Sequence, residues 1–227
     1  MQPTKPKDSL TQLLINIVIP TFILIKGSES SFLTAVQAFV IAIAIPLSYG
    51  LIDFIKSKKR NLFAIIGLIN IALTGTIGLL ELDPKWLAIK EAGVPFIIGS
   101  GILIAIKLNM PILNPLLDFV FNMDRIQSLL NSKSKKALLQ QKISLSSYMI
   151  ALSFFISSLL NYLLAKWLVQ SPPGTPEFNQ ELGRMTALSF PVIAVPSTLI
   201  LILAIWLLIR HIKKATNLEL DDIIKQQ

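Results

Sequence analysis

The sequence predicts an all-α integral membrane protein: a polytopic bundle of six transmembrane helices, with one amphipathic helix on the cytoplasmic face. Three observations carry that prediction. Apolar residues lie in blocks of about 16 to 27, and a helix needs roughly 20 to cross a hydrocarbon core about 30 Å thick. The blocks are continuous rather than alternating, and backbone amides in lipid must be paired within the chain, so helices are expected and a barrel is not. Charged residues make up 15% of the 227 positions against 53% hydrophobic, well under the roughly 25% charge of a soluble domain.

Taken in order, helix 1 is placed at 10–25, with Gln12, Asn16 and Pro20 on one stripe. Lys26, Gly27, Ser28 and Glu29 follow it instead of a small-residue cleavage site, so it reads as a retained helix and not a signal peptide. Helix 2 at 32–55 contains Pro46 and ends on Lys56, Lys58, Lys59 and Arg60. Helix 3 at 61–80 carries Gly67, Asn70, Thr74, Gly75 and Gly78. Helix 4 at 92–106 is short and glycine-rich, and its 15 residues reach only about 22 Å. The stretch 107–142 holds a predicted interfacial helix at 114–131, opened by Asn114 and Pro115. Its apolar face is Leu116, Val120, Met123, Ile126 and Leu130, opposite Asp118, Asn122 and Arg125. SKSKK at 132–136 reads as a basic linker suited to an anionic membrane surface. Helix 5 spans 143–168. Pro172, Pro173, Gly174 and Pro176 break the following loop. Helix 6 spans 185–209, with Pro191 and Pro196 expected to kink it, and 210–227 form a polar tail. The whole of 1–227 is read as one membrane domain.

Orientation follows from Lys and Arg alone. With the N-terminus inside, 16 of the 21 basic residues fall on the inner side, leaving Lys26, Lys85, Lys90, Lys166 and Arg184 outside. Both termini are therefore placed in the cytoplasm, in a cell inner membrane. The net charge of +8 is accounted for by this bias and does not point to nucleic acid.

No catalytic constellation emerges. The chain has no cysteine and a single histidine, His211, beside Arg210 and Lys213. Metal-ligand spacing, a phosphate loop, HExxH and GxSxG are all missing from the sequence. No enzyme activity, metal or cofactor is expected. Polar residues instead form stripes. Helix 5 aligns Ser146, Ser153, Ser157 and Asn161; helix 3 aligns Gly67, Asn70, Thr74 and Gly78; helix 2 adds Gln37, Ala44 and Ser48. Such stripes either close on each other as helix-packing faces or line a polar path between broken helices. A division into two inverted halves of three helices would fit the second reading.

The segments LTGTIGLLELDPKWLAIKEAGVPFIIGSGILIA at 73–105, NMPIL at 109–113 and NYLLAKWLV at 161–169 carry a family likeness. They resemble the bacterial intracellular septation protein A family of inner-membrane proteins, and more closely a related group of polytopic membrane proteins of about this length. The resemblance implies a scaffold or envelope-maintenance role linked to septation and elongation. Its partners would be membrane lipids and other inner-membrane or division and elongation proteins, with homo-oligomerisation a further expectation. The recurrent polar landmarks it matches are Asp83, Lys90, Pro111 and Asn161. The alternative is a transporter of a small molecule, ion or lipid. Functional residues are expected at Asp83, Trp86, Lys90, Glu91, Asn70 and Asn161. In ELDPKWLAIKE at 81–91, Asp83 and Pro84 suit a fresh helix start and Trp86 suits a headgroup anchor. Lys90 is either solvated or paired with Glu91, Glu81 or Asp83.

Overall fold

The computed structural model describes residues 12–29, 32–56, 62–108, 121–130, 132–216 and 218. Seven helices run through them: α1 (Leu14–Gly27), α2 (Ala35–Lys56), α3 (Leu62–Leu79), α4 (Lys85–Lys107), α5 (Met123–Leu129), α6 (Lys133–Leu168) and α7 (Pro176–Thr216). Among the described residues no strand occurs. Four helices, α2, α4, α6 and α7, are long and apolar enough to cross a membrane, and α1 and α3 are shorter apolar helices.

Several boundaries differ from expectation, each for a local reason. The predicted short helix 4 at 92–106 is the 23-residue α4, about 34 Å long and sufficient for an ordinary bilayer core. Asp83 Oδ1 accepts the Lys85 amide at 2.9 Å, and Pro84 precedes the first turn, so the helix starts seven residues before 92. The charges at Lys90 and Glu91 do not end it. SKSKK is no linker: Ser132 Oγ accepts the Lys135 amide at 3.2 Å and starts α6 directly. Helix 6 likewise begins at Pro176 instead of 185, because Thr175 Oγ1 caps the Phe178 amide and Pro176 takes the first turn. Gln37 belongs to a cap and not to a polar stripe. Its Oε1 accepts the Thr34 amide at 2.9 Å while Thr34 Oγ1 accepts the Gln37 amide at 3.2 Å, a reciprocal capping box that opens α2.

Irregular turns lie beside Pro20 and around Pro191, whereas Pro46 and Pro95 sit inside regular α-helix. In α1, π-helical turns at Leu14–Val18 and Ile23–Gly27 flank one α turn holding Pro20. In α7, Phe190–Ala194 is π-helical around Pro191. A proline supplies no amide four residues back, and a wider i→i+5 turn accommodates the gap.

The chain divides into two compact units. Unit 1 comprises Met1–Gly93 and Leu159–Ile193. Its core joins Leu24, Phe39, Ile77, Leu87, Leu164 and Phe178 with their neighbours, and Phe39 and Phe178 rings meet at 5.9 Å. Gly78 lets α3 approach the Phe39 ring, where a Cβ would overlap it. Asn179, fully buried on α7, donates to Ser28 Oγ at 2.8 Å and to the Ala35 carbonyl at 2.7 Å. It thereby ties α7 to the α1–α2 connection.

Unit 2 comprises Val94–Ser158 and Ala194–Gln227. Here Met123, Ile126 and Leu130 of the predicted interfacial face are buried with Leu139, Ile143, Leu208 and Ile212. Arg125, on the opposite side, is exposed, and its amide is accepted by Asn122 Oδ1 at 3.3 Å. The apolar face of α5 is thus taken up by α6 and α7. Leu116, Asp118 and Val120, with Asn114 and Pro115, lie outside the described residues, as do Lys58, Lys59, Arg60, Pro111 and 219–227. In the GSG at 99–101 only Gly99 is packed: a Cβ there would meet Phe154 at 3.2 Å, and one at Gly101 would meet nothing.

Candidate functional site

The start of α4 decides where the charges go. Leu87 and Ala88 are buried in the core of unit 1. Residues three and four apart share a helix face, so burying Leu87 carries Lys90 and Glu91 inward with it. Trp86 and Ile89, on the other side, are each 49% exposed. The Lys90 side chain is 5% exposed, with its Nζ 2.6 Å from Glu91 Oε1 and donating to Thr74 Oγ1 at 2.7 Å. Neighbouring residues on a helix point about 100° apart, and the ion pair nonetheless closes between them. Thr74 Oγ1 donates in turn to the Asn70 carbonyl at 3.1 Å. Four residues on two helices make one chain of interactions.

Glu91, Thr74 and Asn70 also line a cavity of about 280 Å³ within unit 1. Asn16 and Pro20 of α1, Ala42 and Pro46 of α2, and Thr186 and Ser189 of α7 complete its polar or irregular wall. The rest of the lining is aliphatic or thioether, from Ile17, Leu24, Ile43, Ile71, Leu182 and Met185, and several of the polar groups set into it can accept hydrogen bonds. Thr186 and Ser189 hydroxyls donate to carbonyls of their own helix, at 2.9 and 2.7 Å, which leaves oxygen lone pairs for the cavity. Pro46 has no amide to offer the carbonyl of Ala42 one turn back, and both residues face the cavity. A carboxylate, two hydroxyl oxygens and a carbonyl deprived of its helical partner suit a guest rich in N–H or O–H donors. The Lys90 ammonium keeps the local charge balanced.

Of the six residues expected from sequence, Asn70, Lys90 and Glu91 come together here. Asp83 and Trp86 remain at the exposed start of α4, where Asp83 Oδ2 pairs with Lys85 Nζ at 3.1 Å. Hydrogen bonds from the Lys85 backbone amide, then its side chain, hold the Asp83 carboxyl below its ordinary value. Glu81 is no partner for Lys90: it takes a left-handed conformation, φ 51°, and ends α3 while the Leu82 amide bonds back to the Ile77 carbonyl at 3.0 Å. Asn161 is half-buried on α6 and does not line the cavity. Its stripe divides: Ser146 Oγ donates to the Ala204 carbonyl at 3.3 Å and Ser153 Oγ to the carbonyl of Ile150 at 2.7 Å.

Sequence reasoning does not single out Thr186 and Ser189, although both lie inside the helix expected at 185–209, and it leaves Asn179 in a loop because it starts that helix nine residues late. The signal was available in Thr175, Pro176 and Glu177, a cap, a first-turn proline and a first-turn acid. Among the described residues no group of three metal-ligating side chains comes together. Comparison with protein-family models, with curated proteins and with solved structures returned no match.

Proposed function

We propose that this chain is a membrane transporter that binds a small, donor-rich polar solute in the cavity of unit 1. The observation that carries the reading is the ion pair of buried Lys90 with partly buried Glu91, the latter on the wall of a cavity whose mainly apolar lining is interrupted by polar groups. Withdrawing a charge from water is costly before its attraction to a partner is counted, and ionisable groups within membrane helices mark substrate and ion paths. Pro20 of α1 and Pro46 of α2 border the same space, and irregular backbone at membrane depth is tolerated where it lines a cavity. Six crossings, a cytoplasmic-face position for α5 and cytoplasmic termini in a bacterial inner membrane belong to the same proposal, supported by the basic-residue bias. Kinship with the septation protein A family is a proposal resting on the sequence likeness alone.

The chain has no cysteine, so single cysteines can be placed in it unaltered. In proteoliposomes, Asn70→Cys and Thr186→Cys should react with a membrane-impermeant thiol reagent, and an Ile97→Cys control on an exposed apolar face should not. Reporter fusions after Lys59, Lys136 and Lys214 should read cytoplasm, and those at Ser28, Lys85 and Thr175 the outside. Inert cysteines at both cavity positions would remove the transport reading and return the chain to the scaffold role.

A further inference from the structure

A second region, in unit 2 and independent of the transport reading, carries its own inference. The first turns of α6 and the last turns of α7 enclose two adjoining cavities of about 270 and 310 Å³. His211 and Lys214 wall both; Lys142 and Arg210 line the first and Lys135 the second. Among the described residues no carboxylate lines either cavity, and no ion pair engages Lys135, Lys142, Arg210 or Lys214. Cations gathered from two helices around one space repel each other unless an anion occupies it. His211 Nε2 is buried without a hydrogen-bond partner, a state that native structures rarely leave unfilled. The same walls continue in aliphatic side chains, Leu145 and Leu207 in the first cavity and Leu138 in the second, all of them exposed. The Arg210 guanidinium lies 5.4 Å from the centroid of the half-exposed Trp206 ring, and an indole of that kind sits at headgroup level.

We infer that this end of unit 2 binds the phosphate headgroup of an anionic phospholipid. Lys135, Lys142, Arg210 and Lys214 supply the countercharge, His211 Nε2 one hydrogen bond, and the aliphatic wall a seat for the acyl chain. Basic pockets between membrane helices hold acidic lipid headgroups by this combination. A general basic surface would lack the enclosed imidazole and the adjoining apolar wall.

The test uses the full chain in neutral detergent, titrated with dioleoylphosphatidylglycerol, with dioleoylphosphatidylcholine, and with soluble glycerol 3-phosphate, and read by native mass spectrometry and thermal unfolding. Phosphatidylglycerol should bind and raise the unfolding temperature, and phosphatidylcholine should do neither. Lys142→Gln with Lys214→Gln should weaken phosphatidylglycerol about tenfold or more, since each cation near the headgroup contributes about fivefold. Lys26→Gln with Lys85→Gln, equal in charge but in unit 1, should not. His211→Gln, which keeps the size and a donor, should retain binding better than His211→Leu. Glycerol 3-phosphate competing for the same site would show the phosphate alone to suffice; its failure would show that the acyl wall contributes. Equal loss in the two lysine pairs, or equal binding of both lipids, would overturn the inference. So would binding that appears only after Glu219, Asp221 and Asp222 are neutralised, for then the chain's own carboxylates hold the site.

Discussion

Replacing Lys90 with methionine is the sharpest perturbation of the unit 1 site. Methionine fills much of the same space but leaves the Glu91 carboxylate, whose side chain is 19% exposed, without its cation. It also leaves Thr74 Oγ1 without its donor. At 2.6 Å and an effective dielectric of about 20, the lost attraction is about 6 kcal/mol. That is an upper bound, because lysine's own desolvation cost disappears as well. Breaking one partner of a buried pair typically costs about 3 to 5 kcal/mol. Lys90→Met and Glu91→Gln should each lower stability by about 3 kcal/mol, a shift of roughly 6 to 12 °C for a chain of this size. The double variant should recover most of it, because a neutral amide beside a thioether leaves no buried charge. A thermal-unfolding double-mutant cycle in detergent measures the coupling. The double variant should nonetheless lose the cavity's function, which separates folding from activity. Singles within about 0.5 kcal/mol of wild type, or a double equal to their sum, would refute the argument that the pair is buried and coupled.

Further outcomes follow from packing and capping. Gly78→Ala should destabilise by about 1 to 3 kcal/mol because its Cβ overlaps the Phe39 ring. Gly67→Ala, whose Cβ meets nothing, should be neutral or stabilise by up to about 1 kcal/mol; thermal unfolding compares the two. Asn179→Leu removes bonds to Ser28 and to the Ala35 carbonyl. It should cost about 1 to 3 kcal/mol, with faster hydrogen exchange in the α1–α2 connection. Because Asp83 is held below its ordinary 3.8, its contribution to the start of α4 is present above that value and lost as pH falls through the lower folded one. Exchange protection of the first α4 amides should decline in acid in the wild type and be low at every pH in Asp83→Ala.

Much of the helical layout is legible in the sequence because it is local. Asp83 before Pro84, Thr175 before Pro176 and Asn122 before Met123 are helix starts, recognisable from residue type alone. Helix boundaries differ from the sequence expectation where charged residues lie inside a helix. Lys90, Glu91 and the lysines of SKSKK are good helix formers, and a helix stops when its hydrogen bonds lose partners, not when it meets a charge. Gln37 differs for another reason. Its amide serves a capping box three residues long, a closer claim on it than any neighbouring helix could make.

The sequence by itself determined the apolar helices and where their prolines fall, and it put Asn70, Lys90 and Glu91 among the candidate residues. Helical periodicity tells which side chains travel together, but not what covers them. Whether Lys90 is solvated or paired, and whether Asn70 packs shut or borders a cavity, depended on residues far along the chain. Thr186 and Ser189 reach the same cavity as Asn16 and Asn70 only because α7 docks on α1 and α2, with Asn179 holding Ser28 and the Ala35 carbonyl. Burial and desolvation are properties of the assembled neighbourhood. They set the energy of a charge, and no local pattern contains them.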